Sequence, residues 1–156
     1  MSLAWSEETL GYLHQLSCED ELTGLASPAH LRARLAELYR DAALGDVAVG
    51  TAYALVVVDL PSLANPSDPF SRALWLVSAA EDVRTVFPGG DVICTVGGTR
   101  LVVLTARGPG LGHRLASART HVSTGADVSG SARVWTETLP GTVTAAGWLI
   151  DELSRR

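Results

Sequence analysis

Two aspartates and a pair of glycines are the residues of this sequence whose types and spacing could do chemistry. Asp59 closes an apolar, β-rich run, and Asp68 follows a short polar segment. A carboxylate in such a place can bind a divalent cation, although an aspartate that closes a strand just before a proline is also an ordinary turn residue. Gly97-Gly98 separates two short apolar runs and is followed by Thr99-Arg100. A glycine pair of this kind forms a hairpin turn or, less simply, cradles a phosphate.

The other residue types that carry chemistry show no pattern typical of a catalytic or metal site. Cys18 and Cys94 are the two cysteines, and they form no C-x-x-C motif. Cys94 alternates with valines, which predicts a small buried side chain. The histidines lack zinc-ligand spacing and are His14, His30, His113 and His121. No serine lies in a G-x-S-x-G motif. The sequence therefore predicts no catalytic residue, no metal site and no cofactor.

Composition narrows the class of protein. The chain has 156 residues, a net charge of −5 and no lysine, since all 12 basic residues are arginine. One domain is expected at this length. Nucleic-acid binding is not expected, because the basic residues form no dense patch. The longest strongly apolar stretch is far shorter than the roughly 20 residues of a membrane helix, and the N-terminus resembles no secretory signal. We therefore expect a cytoplasmic protein that binds neither nucleic acid nor membrane.

Apolar periodicity and capping signals predict the elements that position these residues. In chain order they are a helix over Ser6–Ser17, a helix from Pro28 to Gly45, a strand at 52–60, a helix that Asp68-Pro69 opens, strands at 91–96 and 100–105, a helix from Leu111 to Val122, a strand at 133–139, and a last helix with Val143, Ala146, Ile150 and Leu153 on its apolar face. Ser27 is a helix N-cap with proline at the next position. Between residues 52 and 139 the order is β-α-β-β-α-β. This order predicts a ferredoxin-like α/β (α+β) fold, an antiparallel-containing sheet with helices on one face.

The segment Asp20-Glu21-Leu22-Thr23-Gly24-Leu25 resembles the D-x-L-T-G-L opening of GGDEF domains, the diguanylate cyclase family. In that family a helix, a strand ending in an aspartate, a second helix and a hairpin carrying G-G-D/E-E-F follow this opening. The same order stands here, with Asp59 and Gly97-Gly98 at nearly the family's spacing. The resemblance implies a ferredoxin-like core of the nucleotide-cyclase type with extra N-terminal helices and a C-terminal helix. We expect a leading helix over 1–17 and one GGDEF-like domain over 18–156.

The resemblance also implies which chemistry to test for. In active members the strand aspartate and the acidic residue after Gly-Gly hold Mg²⁺ ions that bridge the phosphates of GTP. Asp59 stands at the first of these positions, but Thr99-Arg100 puts a hydroxyl and a cation where two carboxylates are expected. An arginine about 4 Å from a dication would repel it by about 8 kcal/mol at an effective dielectric of about 20. Of the later motif positions, Asp68 remains, while Ser67 replaces the asparagine that contacts guanine.

These departures predict a catalytically inactive GGDEF-like domain that works as a signalling interaction or regulatory module. The degenerate motif positions are Asp59, Asp68, Gly97, Gly98, Thr99 and Arg100. The alternative hypothesis is a regulatory domain that binds a guanine nucleotide or cyclic di-GMP through Arg100 and Asp59 without turnover. An active diguanylate cyclase is the third hypothesis and requires carboxylates that the hairpin lacks.

A self-association is predicted from the first helix. Trp5, Leu10, Leu13 and Leu16 lie along one side of it. This apolar side either packs on the chain's own sheet and helices or on a second copy. Because the equivalent helix of the family often pairs with its copy, we expect a symmetric homodimer or a protein partner at this surface.

Overall fold

The computed structural model describes residues 25–60, 69–87, 92–97, 100–122 and 133–155. In chain order the elements of these ranges are α1 (Pro28–Gly45), α2 (Val49–Ala52), β1 (Tyr53–Asp59), α3 (Pro69–Val86), β2 (Val92–Val96), β3 (Arg100–Ala106), α4 (Leu111–Val122), β4 (Arg133–Glu137) and α5 (Val143–Arg155). The helix predicted over Ser6–Ser17 lies outside the described residues, as do the motif positions Asp68, Gly98 and Thr99.

The predicted start of α1 is confirmed. The backbone N–H of His30 donates to Ser27 Oγ at 3.2 Å, and Pro28 occupies the first turn, where its missing N–H leaves no bond unmade. The helix ends at Gly45 and is followed by the C-cap residue Asp46, whose φ of 54° places a non-glycine residue in the left-handed region. The apolar stripe of α1 is buried and consists of Leu31, Leu35 and Leu38.

The four strands form one antiparallel sheet in the order β2-β3-β1-β4. This is the ferredoxin-like arrangement that the β-α-β-β-α-β order predicts. Gly97, which directly follows β2, has a φ of 64°, a backbone conformation that favours glycine. Strand β1 is central and apolar because both of its faces are covered, and every residue from Ala54 to Val58 is fully buried.

The two helices between β1 and β4 lie on the same face of the sheet, as the β-α-β-β-α-β order predicts. Helices α3 and α4 pack on one face, on a core that includes Val56, Val58 and Val103. The opposite face is covered as well, by α1 and α5, on a core that includes Val57 and Val102. Alternation along β1 and β3 sends apolar side chains to both faces, so each face needs its own layer of helices.

Smaller differences concern the ends of elements. Strand β4 ends at Glu137 rather than at residue 139, and the single-turn helix α2 precedes β1 where no helix was predicted. Val143 was expected on the apolar face of the last helix, but it is 44% exposed because it begins the first turn of α5. None of the helices in the described ranges is long and apolar enough to cross a bilayer.

Candidate functional site

Asp59 stands between two arginines on neighbouring strands. In the register of the sheet, Asp59 at the end of β1 lies opposite Arg100 at the start of β3 and opposite Arg133 at the start of β4. Residues that face one another across strands project to the same face, so the three side chains form one row. This row lies on the face that α1 and α5 cover, since Val57 and Val102 of the next row belong to that core.

The carboxylate of Asp59 accepts a hydrogen bond from each arginine. Arg100 Nε donates to Oδ1 at 3.3 Å, and Arg133 Nη2 donates to Oδ2 at 2.7 Å. The Asp59 side chain is 15% exposed and that of Arg100 10% exposed, whereas Arg133 is 74% exposed. Both carboxylate oxygens therefore have a cationic donor, one from the interior and one from the surface.

Arg100 has a second fixed partner in the last turn of α5. Its Nη1 donates to the carbonyl oxygen of Leu153 at 2.7 Å. Carbonyls at the C-terminal end of a helix have no partner within the helix and carry the negative end of its dipole, which a cation stabilises. Arg100 therefore joins strand β1, strand β3 and helix α5.

Trp135 lies beside this ion cluster on the same face of β4. The guanidinium carbons of Arg100 and Arg133 are 5.9 Å and 6.0 Å from the centre of its ring, which is within cation–π range. The indole Nε1 donates to Glu137 Oε1 at 3.0 Å. We call Asp59, Arg100, Arg133 and Trp135 the arginine cluster.

Gly97, at the end of β2, also packs on α5. A Cβ added to Gly97 would lie 2.7 Å from the carbonyl oxygen of Ser154. Glycine is therefore needed at position 97 for two reasons, the positive φ of the backbone and the close approach of α5. The hairpin that carries the glycine motif is held against the C-terminal end of α5 at Gly97 and at Arg100.

Comparison with solved structures identifies the fold. The diguanylate cyclase SiaD of Pseudomonas aeruginosa, solved with its activator SiaC, matches 96% of this chain with a TM-score of 0.67 and 20% identity. This chain spans 61% of the length of that SiaD chain. The GGDEF domain of FimX from Pseudomonas aeruginosa matches 89% of this chain and 92% of its own, with a TM-score of 0.65 and 15% identity.

A third similar structure covers the chain almost end to end. The coiled coil and GGDEF domain of DgcB from Caulobacter crescentus, solved with c-di-GMP, matches 99% of this chain and 85% of its own, with a TM-score of 0.67 and 17% identity. The chain has the GGDEF fold. No protein-family model matches its sequence, and no curated protein matches it either.

The resemblance to GGDEF domains implies a site for Mg²⁺ and the phosphates of GTP near the aspartate that ends β1. The described residues around Asp59 do not fit a dication. Hard cations bind clusters of oxygen ligands, and no group of three or more His, Cys, Asp or Glu side chains suited to a metal occurs in the described ranges. Both oxygens of Asp59 accept from arginine. Among the four side chains of the arginine cluster, two positive charges face one negative charge, which disfavours binding of Mg²⁺.

Two predicted site residues are in contact, and they are joined by two further residues that no motif of the sequence indicated. Asp59 and Arg100 form an ion pair, and Gly97 lies on α5 rather than in an open loop. Arg133 and Trp135 are the additions, and the period-two pattern of β4 could have placed both on one face. Their register opposite Asp59 could not be inferred without knowing that β4 pairs with β1.

Elsewhere the described residues offer little chemistry. Burial raises the pKa of the Cys94 thiol to about 12, so the nucleophilic thiolate is scarce near neutral pH. A groove of about 380 Å³ lies near the start of β1, between the end of α1 and the loop before α5. Its lining includes Tyr39, Val47 and Pro140 and holds no charged side chain.

Proposed function

We propose that this chain is a catalytically inactive GGDEF-fold domain that acts in the cytoplasm as a signalling interaction or regulatory module. The observation that supports the proposal is the engagement of Asp59 by Arg100 and Arg133. In an active site of this fold, the aspartate has to offer its oxygens to a metal ion. Here two cationic side chains already satisfy those oxygens.

The burial and tethering of Arg100 strengthen this proposal. The residue is 8% exposed and donates to the Leu153 carbonyl as well as to Asp59. Moving it aside would leave a buried carbonyl and a carboxylate with one donor fewer, which opposes rearrangement on substrate binding. The Arg100 guanidinium thus serves as a permanent counter-ion for Asp59.

Nucleotide binding without turnover is the second candidate, and one observation favours it. Arg133 is 74% exposed and lies beside the partly buried Trp135 ring. An exposed guanidinium next to an indole is a chemistry that suits an anionic, planar ligand. Arg100, in contrast, has donors committed to protein acceptors, so this candidate depends more on Arg133.

Incubation with GTP and Mg²⁺, followed by chromatography for cyclic di-GMP, tests the first proposal, with an active diguanylate cyclase as the positive control. We expect no product. Cyclic di-GMP that forms with the wild-type chain and disappears with Asp59→Ala would overturn catalytic inactivity.

Thermal shift with GTP and with cyclic di-GMP, each with and without Mg²⁺, separates the two candidates. A ligand at 100 times its dissociation constant adds about 2.7 kcal/mol of stability, which is readily measured. We expect no shift. A shift that Arg133→Ala abolishes and the distant Arg107→Ala leaves intact would establish the nucleotide-binding alternative instead.

A further inference from the structure

The hydrogen-bonding direction of each β4 residue follows from the ladder between β1 and β3. The Arg107 N–H donates to the Ala52 carbonyl, which makes these two a hydrogen-bonded pair one position beyond the ladder. Antiparallel pairs alternate, so Ala54, Val56 and Val58 direct their backbone groups to β3. The intervening residues of β1 direct theirs to β4.

This parity decides which backbone groups of β4 point away from the sheet. Strand β1 pairs through Leu55, Val57 and Asp59, whose partners on β4 are Glu137, Trp135 and Arg133. The remaining residues, Val134 and Thr136, therefore direct their N–H and C=O groups outward. The hydrogen bond from Arg119 Nη2 to the Val134 carbonyl, 2.8 Å long, reaches that outer side and agrees with this assignment.

The two edges of the described sheet differ in how they are covered. At the β2 edge the outward carbonyl of Ile93 accepts from the Ala26 N–H at 2.9 Å, in a parallel bridge with the segment before α1. At the β4 edge, the Val134 carbonyl accepts a hydrogen bond from the Arg119 side chain. Within the described ranges, no hydrogen bond is formed by the Val134 N–H or by either backbone group of Thr136. Such an edge is a template for another strand.

The sequence of β4 is complementary to itself in the antiparallel sense. Residues 133–137 read Arg-Val-Trp-Thr-Glu, with a cation at one end, an anion at the other and Trp135 in the middle. We propose that β4 pairs antiparallel with β4 of a second copy of this chain, about a two-fold axis at Trp135. Arg133 of each copy then lies opposite Glu137 of the other, and the two Trp135 residues lie opposite each other.

The hydrogen-bonding parity suits this register. Val134 of one copy pairs with Thr136 of the other, and these are the residues whose backbone groups point outward, so each pair exchanges two hydrogen bonds. The Trp135 pair then occupies a non-hydrogen-bonded position, where cross-strand side chains come closest. Like charges at the two ends would block an edge, but opposite charges in this order attract, and an isologous contact uses each attraction twice.

The Arg133 side chain and the Val134 carbonyl have capacity for further hydrogen bonds to the second copy. Arg133 is 74% exposed and gives one Nη2 bond to Asp59, which leaves other donors of its guanidinium for a carboxylate. The Val134 carbonyl can accept a second hydrogen bond beside that from Arg119. The proposed pairing deepens the interaction role proposed above and names its partner as this chain itself.

Sedimentation velocity and light scattering of the intact chain at tens of micromolar test the pairing, and we expect a dimer. Thr136→Pro should give a monomer, because it removes an outward N–H and none that bonds to β1, and edge strands accept proline at such a position. Thr136→Val keeps the N–H and the β-branched shape and should remain a dimer. A monomeric wild-type chain overturns the proposal. A dimer that survives Thr136→Pro also overturns it and favours another contact, such as the helix predicted over 6–17.

Charge reversal gives an independent test. Glu137→Arg places arginine opposite arginine twice, and should raise the dimer dissociation constant about tenfold or more. Arg133→Glu should do the same with two carboxylates, and an equimolar mixture of the two variants should regain the dimer. If circular dichroism shows that Arg133→Glu does not fold, the test rests on Glu137→Arg. A folded Glu137→Arg variant that remains a dimer overturns the pairing. Detection of cyclase activity would contradict the proposed catalytic inactivity. It would not contradict the β4 pairing, which is judged from the measured masses alone.

Discussion

Asp59 and Arg100 lie directly opposite each other on β1 and β3, and the Arg100 Nε is 3.3 Å from Asp59 Oδ1. The residue that begins β3 thus neutralises the residue that ends β1, at the end of the sheet where the GGDEF resemblance places a metal ion. The same arginine reaches Leu153 on α5. Arg100 therefore has two roles, since it neutralises Asp59 and joins the hairpin to α5.

Arg100→Ala should destabilise the fold much more than Arg133→Ala. Loss of Arg100 leaves the Leu153 carbonyl without its donor and creates a cavity, so we expect about 2 kcal/mol less free energy of unfolding. Arg133 is 74% exposed and solvent screens its ion pair, so Arg133→Ala should lower the free energy of unfolding by only about 0.5 kcal/mol. Urea denaturation of both variants checks the ranking, and equal losses would contradict it.

Gly97→Ala should lower the free energy of unfolding by at least about 1 kcal/mol, because an L-residue at this positive φ is strained. The added Cβ would also lie 2.7 Å from the Ser154 carbonyl oxygen. Gly112→Ala is the matched control, since its Cβ would meet nothing within 4 Å and it lies in α4. The free energy of unfolding of this control variant should rise by up to about 1 kcal/mol. Thermal melts of the two variants should therefore shift in opposite directions.

Asp46→Gly should stabilise the protein by about 0.5 kcal/mol. Asp46 has a φ of 54° at the C-terminal end of α1, where glycine is unstrained and a negative charge opposes the helix dipole. Ala43→Gly, at an exposed position within α1, should instead lose up to about 1 kcal/mol. Chemical denaturation measures both changes, and a destabilised Asp46→Gly variant would contradict the left-handed end of α1.

Stability should fall as the pH rises above about 9. Burial raises the pKa of Cys94 from 9.0 to about 12, so between these values the unfolded chain releases the thiol proton while the folded chain keeps it. Its contribution to stability is therefore fully present below pH 9 and is lost as the pH rises toward 12. Burial also raises the pKa of Tyr39, which adds to the loss. Cys94→Ala should show a shallower decline in unfolding free energy between these pH values.

Restoring acidic residues to the hairpin should not restore catalysis. Thr99→Glu with Arg100→Glu supplies the two carboxylates that the family motif has, but Ser67 still stands where the guanine-contacting asparagine is expected. Arg133 would also remain on Asp59. We expect no cyclic di-GMP from GTP and Mg²⁺ with this double variant. Product from these two changes alone would mean that the hairpin acids are sufficient.

Local signals in the sequence were enough to determine the described elements and their order, apart from the single-turn helix α2. Ser27 and Pro28 define the start of α1, the apolar run 53–58 defines β1, and Gly97 defines the β2–β3 turn. Each of these signals acts within a few residues of the chain, through capping, propensity or permitted φ. The β-α-β-β-α-β order then restricts the fold, because short connections and right-handed crossovers leave few topologies.

The contacts of the site were decided only by the tertiary structure. Arg133 is 74 positions from Asp59, and Leu153 is 53 positions from Arg100. Whether such residues meet depends on strand register and on how α5 packs across the sheet, and a shift of one residue would turn the side chains of β4 to the other face. The sequence determined that an arginine follows the glycine turn. Long-range packing decided that this arginine binds Asp59 and the end of α5, because those partners are assembled only when the sheet forms.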